Sequence, residues 1–452
     1  MNARVIVIAA AVAVLGTSAL ARAETVAITG GTVYPVSGPK IAGGTVVIRD
    51  GRILAVGANA AIPAGARRID ARGKIVTPGF INAQTQLGLV EVGGERATRN
   101  TSARGLVNAD FRPWEGFFSA SAYIASTRED GITTVGIFPT GGLVSGQAAA
   151  IDLADGTAAE MLRKAPVGVV ATIITGPRFT SDVDETAGAP SDTAGGAESA
   201  QPPASRADAL AALRELLADA RFYATRRSKF DAGTLRGLSA SRRALDALLP
   251  VVQGREPLIV SADRLDDIDA MVRFARSERI RLVIAGGAEA WKIAPRLAAA
   301  HVAVLTGAMN NIPETFDTLG QRQENAALLR RAGVEIALTG NAGGGADEET
   351  FNVRNVKYEA GNAVAYGMSH DDALRAVTLG PATILGIADH VGSLAPGKDA
   401  NVVVWSGDPF EFSTNVEHVF VRGREYHDRS RQDQLIERYR HLTRTNNQTG
   451  AI

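Results

Sequence analysis

The 452-residue sequence has no cysteine and only six histidines. The first absence excludes disulfides, thiolate metal ligands and a cysteine nucleophile. The second leaves few imidazoles for all the roles they usually fill. An excess of positive charge is lacking too. Lys+Arg and Asp+Glu stand at 48 each, so no electrostatic footprint argues for nucleic acid or an acidic surface as partner. Aromatic residues make up 5%, yet 45% hydrophobic and 21% charged residues suit a chain with a sizeable core and exclude a disordered or collagen-like one. No stretch reaches the roughly 20 apolar residues of a membrane span, so none is expected.

The first residues carry Arg4, an apolar run from Val5 to Leu15 and then Ala21-Arg22-Ala23. A basic start, a short apolar stretch and small residues before a cut predict a signal peptide over 1–23, cleaved near Ala23. Removal takes two bases and no acid, leaving a mature chain of net charge −2 that is expected to be periplasmic or secreted.

Residues 24–77 hold short β-branched runs broken by glycine. Asp50-Gly51 separates Thr45 to Ile48 from Arg52 to Val56, which predicts a hairpin with a type I′ turn. Over 78–386 the pattern becomes apolar strands alternating with helical stretches. Expected strands are Thr133 to Phe138, Pro257 to Ser261, Arg281 to Ile284, Val302 to Thr306 and Val334 to Thr339. Expected helices include Ala207 to Ala224, Leu265 to Ser277, Ala288 to Ala300 and Ala326 to Ala332. This rhythm predicts an α/β fold, a (β/α)8 TIM-like barrel, with a doubly wound open sheet as the alternative. Residues 183–209, rich in Ala, Gly, Pro, Ser, Thr and acids, interrupt it and read as a disordered insertion. Short strands return over 387–428. The N- and C-terminal flanks are therefore expected to pair into a small composite β-sandwich, and 429–452 to form a C-terminal helix and tail.

The strings Ile75-Val76-Thr77-Pro78-Gly79-Phe80-Ile81-Asn82-Ala83 and Gly392-Ser393-Leu394-Ala395-Pro396-Gly397-Lys398-Asp399-Ala400, with Gly141 to Gln147 and Gly361 to Val364, resemble the amidohydrolase superfamily. The resemblance is nearest to its imidazolonepropionase-like and related exported branch, and it covers essentially the whole mature chain. It implies a metal-dependent β/α barrel with β-sandwich flanks, zinc or another divalent ion as cofactor, and hydrolysis of carbon–nitrogen bonds other than ordinary peptide bonds. Gly392 to Lys398 also has phosphate-loop spacing as far as Gly-Lys. Asp399 stands where a hydroxyl is needed and the segment precedes a strand, so nucleotide binding is not expected.

The same resemblance implies His-x-His at the end of the first barrel strand, where this chain has Gln84-Thr85-Gln86, preceded by Asn82 in place of an Asp. The fifth-strand window, Val260 to Asp263, and the sixth, Ala285 to Gly287, hold no histidine. The last strand should end in an Asp that binds metal and accepts water's proton, and Asn341 stands there. Zinc lowers the pKa of bound water from 15.7 to about 7, roughly 12 kcal/mol of nucleophile activation, and amides do not replace that. No metal ligands, and hence no cofactor, are expected from these positions. His301, His370, His390, His418, His427 and His441 read as surface or capping residues.

What remains is Asp263 and Glu91 as candidate catalytic carboxylates, with Gln84, Gln86, Ser261, Asn341, Ser145 and Gln147 as candidate hydrogen-bonding groups for a small polar molecule in the barrel mouth. Two functions fit: a hydrolase of the inherited class working without a catalytic metal, or a metal-free pseudoenzyme that binds a small ligand or supports a partner enzyme. Homo-oligomerisation stays open. A hinged solute-binding protein fits less well, because one barrel suggests one central site.

Overall fold

In the computed structural model of the chain, residues 24–173, 202–233, 237–309, 313, 315–340, 348–427 and 431–440 are described. The expected signal peptide, most of the 183–209 insertion, Asn341 and His441 lie outside them.

The N-terminal flank forms β1 (Val26–Val33), β2 (Ile41–Arg49), β3 (Arg52–Gly57), β4 (Arg67–Asp70) and β5 (Ile75–Pro78). Asp50 and Gly51 take φ of 53° and 77°, the two positive angles that a type I′ turn requires between β2 and β3. Next come β6 (Phe80–Thr85), β7 (Ile132–Ile137), β8 (Val144–Asp152) and β9 (Leu162–Thr172). They are followed by β10 (Leu258–Ala262), β11 (Leu282–Gly286), β12 (Ala303–Thr306) and β13 (Ile336–Leu338). These eight form one sheet in chain order from β6 to β13. Its two ends approach each other. Asn82 donates from Nδ2 to the Val353 carbonyl at 3.1 Å, and the Ile81 N–H bonds to the Val377 carbonyl, so helix-bearing segments beyond β13 fill the seam beside β6.

Expected and observed elements agree closely for β7, β10, β11, β12 and β13, whose β-branched runs are buried. Helices Leu265–Glu278 and Asn325–Arg331 also fall where helical spacing placed them. Two expectations need correction. Regular β/α alternation fails at β8, which runs antiparallel to both β7 and β9, with no long helix on either side. The insertion ends earlier than expected as well. Ser205 caps a helix at Arg206–Asp231 by accepting the Asp208 N–H, so 206–209 are helical.

Down the barrel axis the side chains are apolar: Ile81, Ala83, Phe138, Ala150, Ile259, Val283 and Leu305 belong to one buried cluster. A second, larger core lies between the strands and the outer helices.

The C-terminal strands β14 (Val402–Trp405), β15 (Val416–Val421) and β16 (Arg424–Tyr426) join the N-terminal flank through β14 and β5, which pair antiparallel. The result is a composite sheet ordered β16-β15-β14-β5-β1-β2-β3, with β4 also beside β1. One apolar core unites Ile28, Ile48, Ile69, Val402 and Phe420. The Trp405 indole donates to Thr77 Oγ1 at 2.8 Å and packs on Phe80 with ring centroids 4.9 Å apart. Gly131, at φ 81°, lets that indole in: a Cβ there would sit 2.3 Å from the ring.

The composite sheet meets the barrel at the end where the parallel strands begin. There Asp152 is fully buried and accepts from Thr134 Oγ1, Arg163 and Arg422, while Arg163 also reaches Asp399 at 2.7 Å. Burial works against the Arg163 charge, but Asp152 and Asp399 outweigh it and raise its pKa.

Candidate active site

The opposite end of the barrel, where the parallel strands finish, collects six of the residues named from the sequence; Asn341 lies outside the described residues. Gln84 and Gln86 come at the end of β6, and Ser261 and Asp263 at the end of β10. Because β8 is antiparallel, its first residues pair with the last of β9, Val144 opposite Ala171, so Ser145 and Gln147 reach this end from the start of their strand. Both are buried strand residues and not part of a glycine-rich turn.

Several of these groups are already engaged. Gln147 Nε2 donates to the Ala109 carbonyl at 3.0 Å, because the excursion 86–121 folds back and pairs beside the start of β8. Asn82 is fully buried, holding the barrel seam through Nδ2 and accepting the Gln84 N–H at Oδ1. Asp263 Oδ1 accepts the Ala288 N–H at 3.3 Å, and a Cβ on Gly286 would lie 2.4 Å from that oxygen. The carboxylate therefore occupies the space into which a side chain from residue 286 would project. Among the described residues, the side chains named at the mouth, the amides of Gln84, Gln86 and Gln147, the hydroxyls of Ser145 and Ser261 and this backbone-bonded carboxylate, offer no imidazole. They do not fit a zinc-type centre, which takes thiolates, imidazoles and carboxylates.

Two acceptors at this end have no donor among the described residues. Gln86 is 2% exposed and its Oε1 is buried without a hydrogen-bond partner. Its backbone carbonyl, by contrast, accepts from the N–H groups of Leu89 and Val90 and from Thr350 Oγ1, which tightens the chain into a turn. Glu91 follows that turn, and its Oε1 is likewise buried and unpartnered. Burial pushes the Glu91 carboxyl pKa up, and a hydrogen bond with Ser121 only partly offsets this. Ser121 in turn caps the helix Ala122–Glu129 by accepting the Tyr123 N–H. Glu91 lines a cavity of about 200 Å³ with Val90, Val92, Gly93, Tyr123, Thr350 and Phe351.

Sequence reading singled out Glu91 but missed Ser121, Tyr123 and Thr350. They arrive from three separate segments with no shared motif. A cavity of about 480 Å³ lies elsewhere, between the helix Val356–Ala365 and residues 408–412, with His370 bonded to Asp408 at 3.2 Å. Neither unpartnered acceptor lines it, whereas Glu91 lines the smaller cavity, which is therefore the better candidate. Lys398, from the phosphate-loop-like string, is half-buried and donates to the Ala388 carbonyl and Ser393 Oγ, so its ammonium ties down its own turn.

A family model described as "Amidohydrolase family" matches residues 265–426. Imidazolonepropionase of Mesorhizobium japonicum is 24% identical over 392 residues, covering 80% of this chain and 86% of that protein. Imidazolonepropionase of Acidiphilium cryptum is 26% identical over 397 residues, covering 82% and 89%. Among solved structures, an amidohydrolase from Thermotoga maritima superposes with a TM-score of 0.76 at 27% identity, over 89% of this chain and all of that one. With the TIM-like barrel and the flanking sheet in place, the chain belongs to the amidohydrolase superfamily.

Proposed function

We propose that this is an exported hydrolase that takes a small polar molecule with a carbon–nitrogen bond into the Glu91 cavity and works without a divalent ion at the family's usual positions. The observation that carries this reading is Glu91 Oε1, a buried acceptor with no donor among the described residues, on a carboxylate that lines the cavity. An unsatisfied buried acceptor costs about 1–3 kcal/mol, which a ligand bearing amide, amine or hydroxyl hydrogens recovers on binding. Glu91 is the proton-transfer group. Water adds to the carbonyl carbon, the carbon–nitrogen bond breaks, and Glu91 gives its proton to the departing nitrogen and regains one from the water. The single sheet of the flanking strands, which share one core, supports reading them as the sandwich that the resemblance implies.

The test is turnover and binding of a panel of cyclic amides, N-acyl amino acids and dipeptides, with and without chelator. Chelation should leave turnover unchanged. Glu91→Gln should lower it on the order of 10²-fold while ligand binding persists. Loss of turnover on chelation would overturn the metal-free reading. A second reading, binding without catalysis, is favoured by the apolar barrel axis and by the engagement of Asp263 with the backbone. It predicts binding with no turnover by either form. Mass spectrometry of the exported protein should place its N terminus at Glu24.

A further inference from the structure

Outside the barrel mouth, imidazoles and a carboxylate converge at one place in the flanking sheet. In the β15–β16 hairpin Phe420 pairs with Glu425, so the antiparallel register sets His418 opposite His427. The period of two then puts His418, Glu425 and His427 on one face, beside the apolar core that contains Phe420. The geometry matches the register. Glu425 Oε1 lies 2.5 Å from His418 Nδ1 and 3.2 Å from His427 Nε2, and the three ligand atoms all fall within 4.8 Å of one another. From β4, Arg67 bonds the other carboxylate oxygen, Oε2, and is itself balanced by Glu24. Oε1 is thus left to the two imidazoles, and the carboxylate is oriented from behind, as an outer partner orients a metal ligand.

We propose that His418, Glu425 and His427 bind a divalent ion of the zinc class, with water completing the shell. Two nitrogens and a carboxylate oxygen are a common donor set for zinc. Bonds of about 2.0–2.2 Å in a tetrahedral shell place donors roughly 3.3 Å apart. His427 Nε2 and Glu425 Oε1 already stand at that separation, and His418 must withdraw by less than about 1 Å. His427 is 68% exposed and free to adjust, whereas His418 and Glu425 are held by the sheet. The ion would clasp the hairpin and, through Arg67, hold β4 against it.

The experiment is calorimetric titration of the chelator-stripped full chain with zinc chloride, above the imidazole pKa of about 6.5. One equivalent should bind and raise the melting temperature. His427→Ala, at an exposed position, and His418→Ala should each weaken it about tenfold or more, and His301→Ala should not. Chelation of this ion should leave any turnover at the mouth unchanged, which separates this proposal from the functional reading above. No zinc binding by the wild-type chain, or binding of equal strength in the His427→Ala variant, would overturn the proposal.

Discussion

Burial raises the Glu91 carboxyl pKa, and the Ser121 hydrogen bond offsets it only in part, so ionising this group costs the folded state more than the unfolded one. With the folded pKa raised, its contribution to stability is fully present below the ordinary carboxylate range and is lost as pH rises through the folded value. Glu91→Gln should therefore raise the melting temperature at neutral pH and make no difference in acid. A gain of equal size at both would refute the argument. At Gln86 the sign is similar for another reason. Replacing the amide by an apolar side chain of similar shape, Gln86→Leu, removes a buried acceptor with no donor. It should stabilise the fold by about 1–3 kcal/mol in denaturant titration.

Among the elements, β7 and β10 to β13 were legible because buried parallel strands are written as short β-branched runs bounded by turns. β8 was not. Val-Ser-Gly-Gln-Ala-Ala-Ala-Ile-Asp has neither alternation nor bulk, since all nine residues are buried and small side chains suit a strand covered on both faces. Its antiparallel course brought Ser145 and Gln147 to the mouth by a route no periodicity shows. The His418–Glu425–His427 cluster stayed hidden too, because hairpin register, not sequence spacing, makes these residues neighbours. At the other end of β8, Asp152 neutralises two arginines from different elements. Asp152→Ala should cost about 3–5 kcal/mol, because it strands buried charge. Glu115→Ala in the exposed Arg112–Glu115 pair should fall within about 0.5 kcal/mol. Denaturant midpoints measure both, and equal values would dismiss the network.

For the molecule as a whole, family and barrel could be read from strings scattered over the chain, whereas the site could not, since its positions hold amides where the family's pattern has imidazoles. The flanks are interdependent. Without β14 the edge of β5 is bare, Thr77 loses the Trp405 donor and Phe80 loses its aromatic neighbour. A chain ending at Gly386 should show no cooperative thermal transition, and supplying 387–452 as a separate polypeptide should restore one. A normal transition in the shortened chain would show the barrel to be self-sufficient.

The bond from Trp405 to Thr77 joins residues 328 apart in sequence. Chains are made from the N terminus at roughly 5–20 residues per second, so β5 waits tens of seconds for the strand that covers it. Throughout that interval the first sheet has an open edge, and the loop to be closed is among the longest the chain can make.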